Sequence, residues 1–234
     1  MDRYWQQIAV PEIGSKGQHL LATAKVLLIG AGGLGTPAAI YLAAAGVGTI
    51  GLVDGDNVTV SNLSRQFLYH EHETGHPKVS VLANRLRQQN PVIVVREHME
   101  MLNTSNAHDI ISAFDIICDC TDNVDARILI NQTCAMSHKP LVYAAVKDWE
   151  GYVTVLHHRK KIDLQNIFSI QSLLENSSLN CSVTGIVNTT CGIAGSIQAT
   201  EVIKIIVGLP SELDGSILCF NTLNTVFRTF RLNA

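Results

Sequence analysis

The chain has 234 residues, 47% of them hydrophobic and 16% charged, with a net charge of −3. That length buries a sizeable core within one domain, and the near-neutral balance excludes a general nucleic-acid binder, which carries a basic excess. No apolar run approaches the roughly 20 residues that span a bilayer, and Met1–Gln7 is polar with no signal-peptide core. These features predict a cytoplasmic protein with neither a nucleic-acid nor a membrane partner.

In chain order, a helical segment over residues 1–24 precedes an alternation of strands and helices. The strand Lys25–Ile29 runs into Gly30-Ala31-Gly32-Gly33-Leu34-Gly35, a G-x-G-x-x-G loop, and a small-residue helix over Gly33–Ala45 follows. Such glycines permit a tight turn and close backbone approach. The helix N-terminus adds free N–H groups and partial positive charge, so the order suits a nucleotide phosphate. The next strand, Thr49–Val53, ends at Asp54, where a carboxylate can accept from ribose hydroxyls. Further strands are predicted at Val92–Arg96, Ile116–Asp119 and Leu141–Ala145, with helices at Lys78–Gln89, Ser105–Ala113 and Val124–His138. This alternation predicts an α/β fold with a doubly wound, mostly parallel, Rossmann-like sheet over residues 25–145, its ligand crevice at the carboxyl ends of the strands.

The second half changes character. Gly151–His157 alternates like an antiparallel strand, with Gly151, Val153 and Val155 on one face. Residues 160–188 read as a long loop rich in Ser and Asn, and Cys191–Val207 as a helix stopped by Gly208 and Pro210. Ile217–Phe220 and Thr225–Leu232 form a closing hairpin with its turn at Asn221–Asn224, so antiparallel strands extend the sheet. The whole chain, 1–234, is read as one domain.

Several polar residues follow strand ends. Arg65, in Ser61-Asn62-Leu63-Ser64-Arg65-Gln66, and Lys78, which opens the next helix, both have a route to the crevice. Two cations beside a glycine loop suit a triphosphate better than a dinucleotide. Asp122, in Asp119-Cys120-Thr121-Asp122-Asn123, is the candidate Mg²⁺ ligand, since a hard oxygen beside phosphates is the common arrangement. Either Asp122 or Asn123 can instead cap the helix that follows. The six cysteines form no C-x-x-C pair. Cys118, Cys120, Cys134, Cys191 and Cys219 sit in apolar runs and read as small buried hydrophobes. His70, His72 and His76 read as a solvated loop, and His157 and His158 as surface residues.

Taken in order, G-A-G-G-L-G, V-D-G-D, S-N-L-x-R-Q, P-K and D-C-T-D-N resemble the motifs of the ThiF/MoeB/HesA family, related to the adenylation domains of ubiquitin-activating enzymes. The resemblance runs from Arg3-Tyr4 to the final hairpin. It implies an adenylyltransferase that uses ATP and Mg²⁺ to activate the C-terminal Gly-Gly tail of a small ubiquitin-like sulfur carrier, acts with a sulfur donor, and forms a homodimer. By the same resemblance Gly33 and its neighbours meet the phosphates, Asp54 the ribose and Asn62 the phosphate side. Asp56, Ser61, Gln66 and Asn123 complete the nucleotide site beside Gly30, Gly32, Gly35, Arg65, Lys78 and Asp122. Gly35-Thr36-Pro37-Ala38-Ala39 looks more like the thiamine-pathway branch than the molybdopterin branch, which is the alternative.

Three positions depart from the pattern or extend it. Cys181 aligns with a cysteine that some relatives use as a covalent nucleophile after adenylation, the alternative being a structural thiol. The two C-x-x-C pairs that hold zinc in many relatives are replaced at Ile162–Phe168 and absent at Arg231–Ala234, which predicts no zinc. Gln6 stands where relatives carry an arginine that reaches the partner subunit's ATP. The competing classes are a NAD-dependent dehydrogenase, which leaves Arg65, Lys78 and Asp122 without a joint role, and a weakened carrier-binding relative without turnover.

Overall fold

The strand Lys25–Ile29 (β1) lies near the middle of an eight-stranded sheet in the order β3-β2-β1-β4-β5-β6-β7-β8. The structure is a computed structural model that describes residues 3–167 and 185–232. β2 (Thr49–Val53) and β4 (Ile116–Asp119) flank β1, and all three run parallel with β3 (Val94–His98) and β5 (Leu141–Lys147). β1 reads as an unbroken apolar run because both of its faces are covered. Val26 and Leu28 pack with α3 (Gly35–Ala45) and α4 (Lys78–Gln89), while Leu27 and Ile29 pack with α5 (Ala107–Ser112) and α6 (Val124–Met136). The doubly wound architecture follows. Two short helices, α1 (Trp5–Ile8) and α2 (Gly14–Thr23), precede the sheet.

From β5 onward the pairing turns antiparallel through β6 (Glu150–Leu156), β7 (Ser216–Asn221) and β8 (Val226–Arg231). Gly151, Val153 and Val155 are buried on one face of β6, as the alternation predicts. All six residues of β8 are exposed, Phe227 and Phe230 by half, and β8 closes the sheet as an edge.

The 20-residue helix α7 (Asn188–Val207) joins the two halves. Its length and mean hydropathy of 1.3 meet the measure of a membrane span, so the expectation that no apolar stretch approaches 20 residues was too strict. In the fold it is a core helix, packed on α2, α3, β5 and β6. Buried Gln198 donates from Nε2 to the Asp119 and Val142 carbonyls at 2.9 and 3.1 Å, tying the helix to β4 and β5.

Several expected boundaries move. β3 begins at Val94 rather than Val92, because Pro91 follows the α4 cap and Ile93 N–H turns back to Asn90 C=O, leaving Val92 74% exposed. α5 is shorter than Ser105–Ala113, since Asn103 and Asn106 tie residues 103–106 into a turn. α7 starts three residues before Cys191. The glycine-loop helix starts at Gly35, α6 ends at Met136, and the final turn occupies residues 222–225.

Close approach of α7 to α3 rests on Gly195. A Cβ there would stand 2.6 Å from both the Leu34 carbonyl oxygen and Pro37 Cγ. Gly195→Ala is therefore expected to cost about 1–3 kcal/mol through overpacking. Thermal unfolding should show a Tm lowered by several degrees, and an unchanged Tm would place the helices further apart than described.

Candidate active site

β1 delivers the glycine loop at the carboxyl edge of the sheet. Gly30 takes φ +102°, which favours glycine, and its N–H donates to Val53 C=O at 2.8 Å. A Cβ on Gly30 would stand 2.6 Å from the Cys120 carbonyl oxygen, and one on Gly35 would land on the Gly30 carbonyl. The loop is thus pressed against the end of β4 and folded on itself. Between the glycines, Ala31 is held from both sides. Its N–H donates to Asp54 Oδ2 at 2.8 Å, and its carbonyl accepts from the Tyr69 hydroxyl at 2.6 Å. The other carboxylate oxygen of Asp54 accepts from Asp56 N–H at 2.8 Å. Asp54 therefore braces the loop backbone, and half of the roughly four acceptor directions of a carboxylate stay open.

The segment after β2 lies across this loop. A short 3₁₀ turn at Val60–Asn62 carries Ser61, whose Oγ is 3.2 Å from Thr59 Oγ1. Asn62 C=O accepts from the N–H groups of Arg65 and Gln66. Half-buried Arg65 brings its carbonyl oxygen 3.5 Å from where a Cβ on Gly33 would stand. Its Nη1 lies 3.4 Å from Ser61 C=O. Gln66 is buried, with Nε2 3.5 Å from the Cβ position of Gly32 and Oε1 without a hydrogen-bond partner among the described residues. Lys78 opens α4 and is only 5% exposed. Its Nζ pairs with Asp56 Oδ2 at 2.9 Å, and its N–H donates to Asp56 C=O at 3.0 Å. Asp56 is more than half exposed, so the pair is solvent-screened on one side.

On the far side, Asp119 ends β4 fully buried. Its Oδ1 accepts from Thr121 N–H at 2.9 Å and Thr121 Oγ1 at 2.7 Å. Thr121 C=O accepts from Arg127 Nη2 at 3.0 Å, and Arg127 Nη1 donates to the Tyr143 hydroxyl at 3.1 Å. Burial pushes the Asp119 carboxyl above the usual carboxylate range, with the Arg127 charge and the Thr121 hydrogen bonds opposing. Beyond this clamp Asp122 and Asn123 are exposed. Asn123 Oδ1 accepts from Ala126 N–H at 2.8 Å, which makes Asn123 the N-cap of α6 and leaves the Asp122 carboxylate outside that role.

Asp54, Arg65, Gln66 and Lys78 thus lie close to the loop of Gly30, Gly32, Gly33 and Gly35, and Asp56, Ser61 and Asn62 contact those residues rather than the loop itself. Asp122 and Asn123 follow the strand that the loop touches. Cys181 lies outside the described residues, as does most of the long loop. Gln6 is exposed on α1. Arg3 donates to Gln89 C=O at 2.7 Å, at the end of α4. Cys118, Cys120, Cys134 and Cys191 are buried as expected, whereas Cys219 is only half-buried. Burial raises the Cys191 thiol to about 11, which leaves it unreactive beneath Gly33. His70, His72 and His76 are exposed. His157 and His158 correct the surface reading: both are half-buried, and His157 Nε2 lies 2.8 Å from Asn131 Oδ1. Burial lowers the His157 pKa. Among the described residues no group of three or more His, Cys, Asp or Glu side chains is arranged to hold a metal ion. Sequence reasoning passed over Tyr69 and Arg127; an arginine one turn into a helix after D-C-T-D-N was the available signal for the second.

A doubly wound sheet whose first crossover carries a glycine loop, with an acidic residue at the next strand end, defines a nucleotide-binding α/β class. The ThiF family model matches residues 4–234, and the chain belongs to the ThiF family. "Adenylyltransferase and sulfurtransferase MOCS3" of Sus scrofa is 41% identical over 230 residues, covering 98% of this chain and 50% of the relative. A "Probable molybdopterin-synthase adenylyltransferase" of Gracilaria tenuistipitata var. liui is 37% identical, covering 98% of this chain and 64% of the relative. The chain spans about half the length of the curated relatives it matches. Among solved structures, E. coli MccB with ATP superposes with a TM-score of 0.85 at 22% identity, covering 99% of this chain and 72% of that one, and so shares the fold.

Asp119 supplies a pH test. Because its folded pKa is raised, the unfolded chain releases this proton first as pH climbs above ~4. The contribution to stability is therefore present at low pH and lost as pH rises through the folded pKa. Asp119→Asn keeps an acceptor for Thr121 and does not titrate. Thermal melts of both proteins should show the Tm difference, variant minus wild type, growing more positive by a few degrees from pH 4.5 to pH 8. A difference independent of pH would contradict the raised carboxyl.

Proposed function

We propose that this protein is an ATP-dependent adenylyltransferase acting on the C-terminal glycine of a small ubiquitin-like sulfur carrier. The observation that carries the reading is the gathering of Asp54, Arg65 and Lys78 around the Gly30–Gly35 loop in a ThiF-family chain. The names of the relatives favour a molybdopterin-type carrier over the thiamine-type carrier that the Gly35–Ala39 segment suggests.

The chemistry needs no general base, since a terminal carboxylate is already ionised at neutral pH. One carboxylate oxygen attacks the α-phosphorus of ATP, a bond forms there, and the bond to the bridging oxygen breaks to release pyrophosphate. The obstacle is repulsion between anions, which fixed cations offset best where water is scarce. In this reading the Gly32 and Gly33 amides face the phosphates, and Asp54 offers its open acceptor directions to the ribose. Arg65 and Lys78 neutralise the triphosphate, Lys78 exchanging its screened contact with Asp56 for a phosphate oxygen. Ser61, Asn62, Gln66 and Asn123 border the site. An exposed carboxylate beside phosphates fits Mg²⁺, which takes one or two carboxylates plus phosphate oxygens and water. Asp122 would hold that ion, which supplies further charge neutralisation.

Cys181 is proposed to act after adenylation, its thiolate attacking the acyl-adenylate with AMP leaving. A sulfur donor, a homodimeric assembly and a cytoplasmic setting belong to the same proposal. Gln6 then leaves the partner's nucleotide without an arginine from that position.

Carrier-dependent ATP–pyrophosphate exchange, run with molybdopterin-type and thiamine-type carriers in parallel, tests the reading. Exchange with the molybdopterin-type carrier is expected, and Lys78→Ala should lower it on the order of 10²-fold or more. Absence of exchange with both carriers would overturn the assignment. Cys181→Ser should leave exchange intact while abolishing any covalent enzyme–carrier adduct seen by mass spectrometry; loss of exchange itself would reverse the proposed order of events.

A further inference from the structure

Tyr69 belongs to no motif, yet its hydroxyl is the polar atom placed between the two halves of the candidate site. The side chain is 3% exposed. Its hydroxyl donates to Ala31 C=O at 2.6 Å and lies 3.4 Å from Lys78 C=O. A phenol has one proton, so the shorter contact receives it, while the Lys78 carbonyl stays inside the α4 helix. Burial, with Asp54 and Glu73 nearby, pushes the phenol far above its ordinary range, so the donor persists at any working pH. Opposite the hydroxyl, the Ala31 N–H is already fixed on Asp54.

We infer that Tyr69 is a positioning residue for the nucleotide phosphates. Its hydroxyl sets the plane of the peptide that joins Ala31 to Gly32, and with it the direction of the Gly32 and Gly33 N–H groups. The same side chain packs against the start of α4 and holds that loop in register with Lys78. A second link runs through Asp54, Asp56 and Lys78, with a backbone hydrogen bond and a solvent-screened ion pair between the last two, but it meets the loop at the Ala31 N–H and leaves the carbonyl to Tyr69. This inference rests on the adenylation reading, and it assigns a role that the glycines alone do not fill. Glycines allow the loop many conformations, and Asp54 together with Tyr69 selects one.

Tyr69→Phe removes one oxygen and keeps the ring. Leaving Ala31 C=O without its donor is expected to raise the KM for ATP in carrier-dependent exchange roughly tenfold, with a Tm within a few degrees of wild type. Ile111→Val serves as the stability control, because Ile111 is buried on the opposite face of the sheet. A merely structural role predicts that both variants lose folded protein alike and keep the wild-type KM per folded molecule. An unchanged KM in Tyr69→Phe, or an equal rise in Ile111→Val, would overturn the inference. Should wild-type protein show no exchange, the adenylation reading falls. Calorimetry with α,β-methylene ATP then decides this one separately: tenfold weaker binding by Tyr69→Phe supports it, and equal affinity or no binding by either protein overturns it.

Discussion

Where β1 ends, Gly30 passes so close to the Cys120 carbonyl that a Cβ would stand 2.6 Å away, and that approach fixes where the glycine loop runs. Parallel strands end with backbone groups that have no ladder partner, and those groups need satisfying elsewhere. The protein answers with side chains. Ala31 is gripped by Asp54 and Tyr69, and Thr121 by Asp119 and Arg127. Two adjacent loops are therefore held in the same manner, with an acidic side chain on the N–H and a long donor on the carbonyl. The reading of an ATP-dependent enzyme depends on these braces, because amides that wander cannot stabilise charge as it develops.

Much of this was legible in the residues. The apolar runs Lys25–Ile29, Thr49–Val53 and Ile116–Asp119 matched their strands residue for residue, since a strand buried on both faces leaves little room for error. Lys78–Gln89 also matched, set between Pro77 and Asn90. Boundaries slipped where side-chain hydrogen bonds override pattern, as at Asn103 and Asn106 before α5. The glycine loop and the acidic strand end were visible because their geometry demands particular residue types. Tyr69 was invisible for the opposite reason: a tyrosine in a loop announces nothing until its hydroxyl is seen to have a partner. His157 misled because a histidine at a strand end is usually solvated, and here Asn131 draws it inward.

α7 shows how composition alone can mislead. Its apolar sequence serves packing against α3 and the sheet, and Gln198 in its middle satisfies one carbonyl at the end of β4 and one near the start of β5. Buried Glu201 takes Lys204 and Ser211 as partners near its end. Those contacts need a protein interior that presents carbonyls and hydroxyls at fixed places, which hydrocarbon does not.

The exposed strand β8 has a consequence for the protein's behaviour in concentrated solution. An outermost strand offers a row of unsatisfied N–H and C=O groups to any passing strand, and Phe227 and Phe230 would reward such pairing. Arg228 and Arg231 alternate with those rings on the same strand. Charged side chains on an edge strand are one of the features that weigh against pairing with a further strand. Salt that screens Arg228 and Arg231 would lessen that effect at this edge and leave the pull of the two exposed rings unchanged.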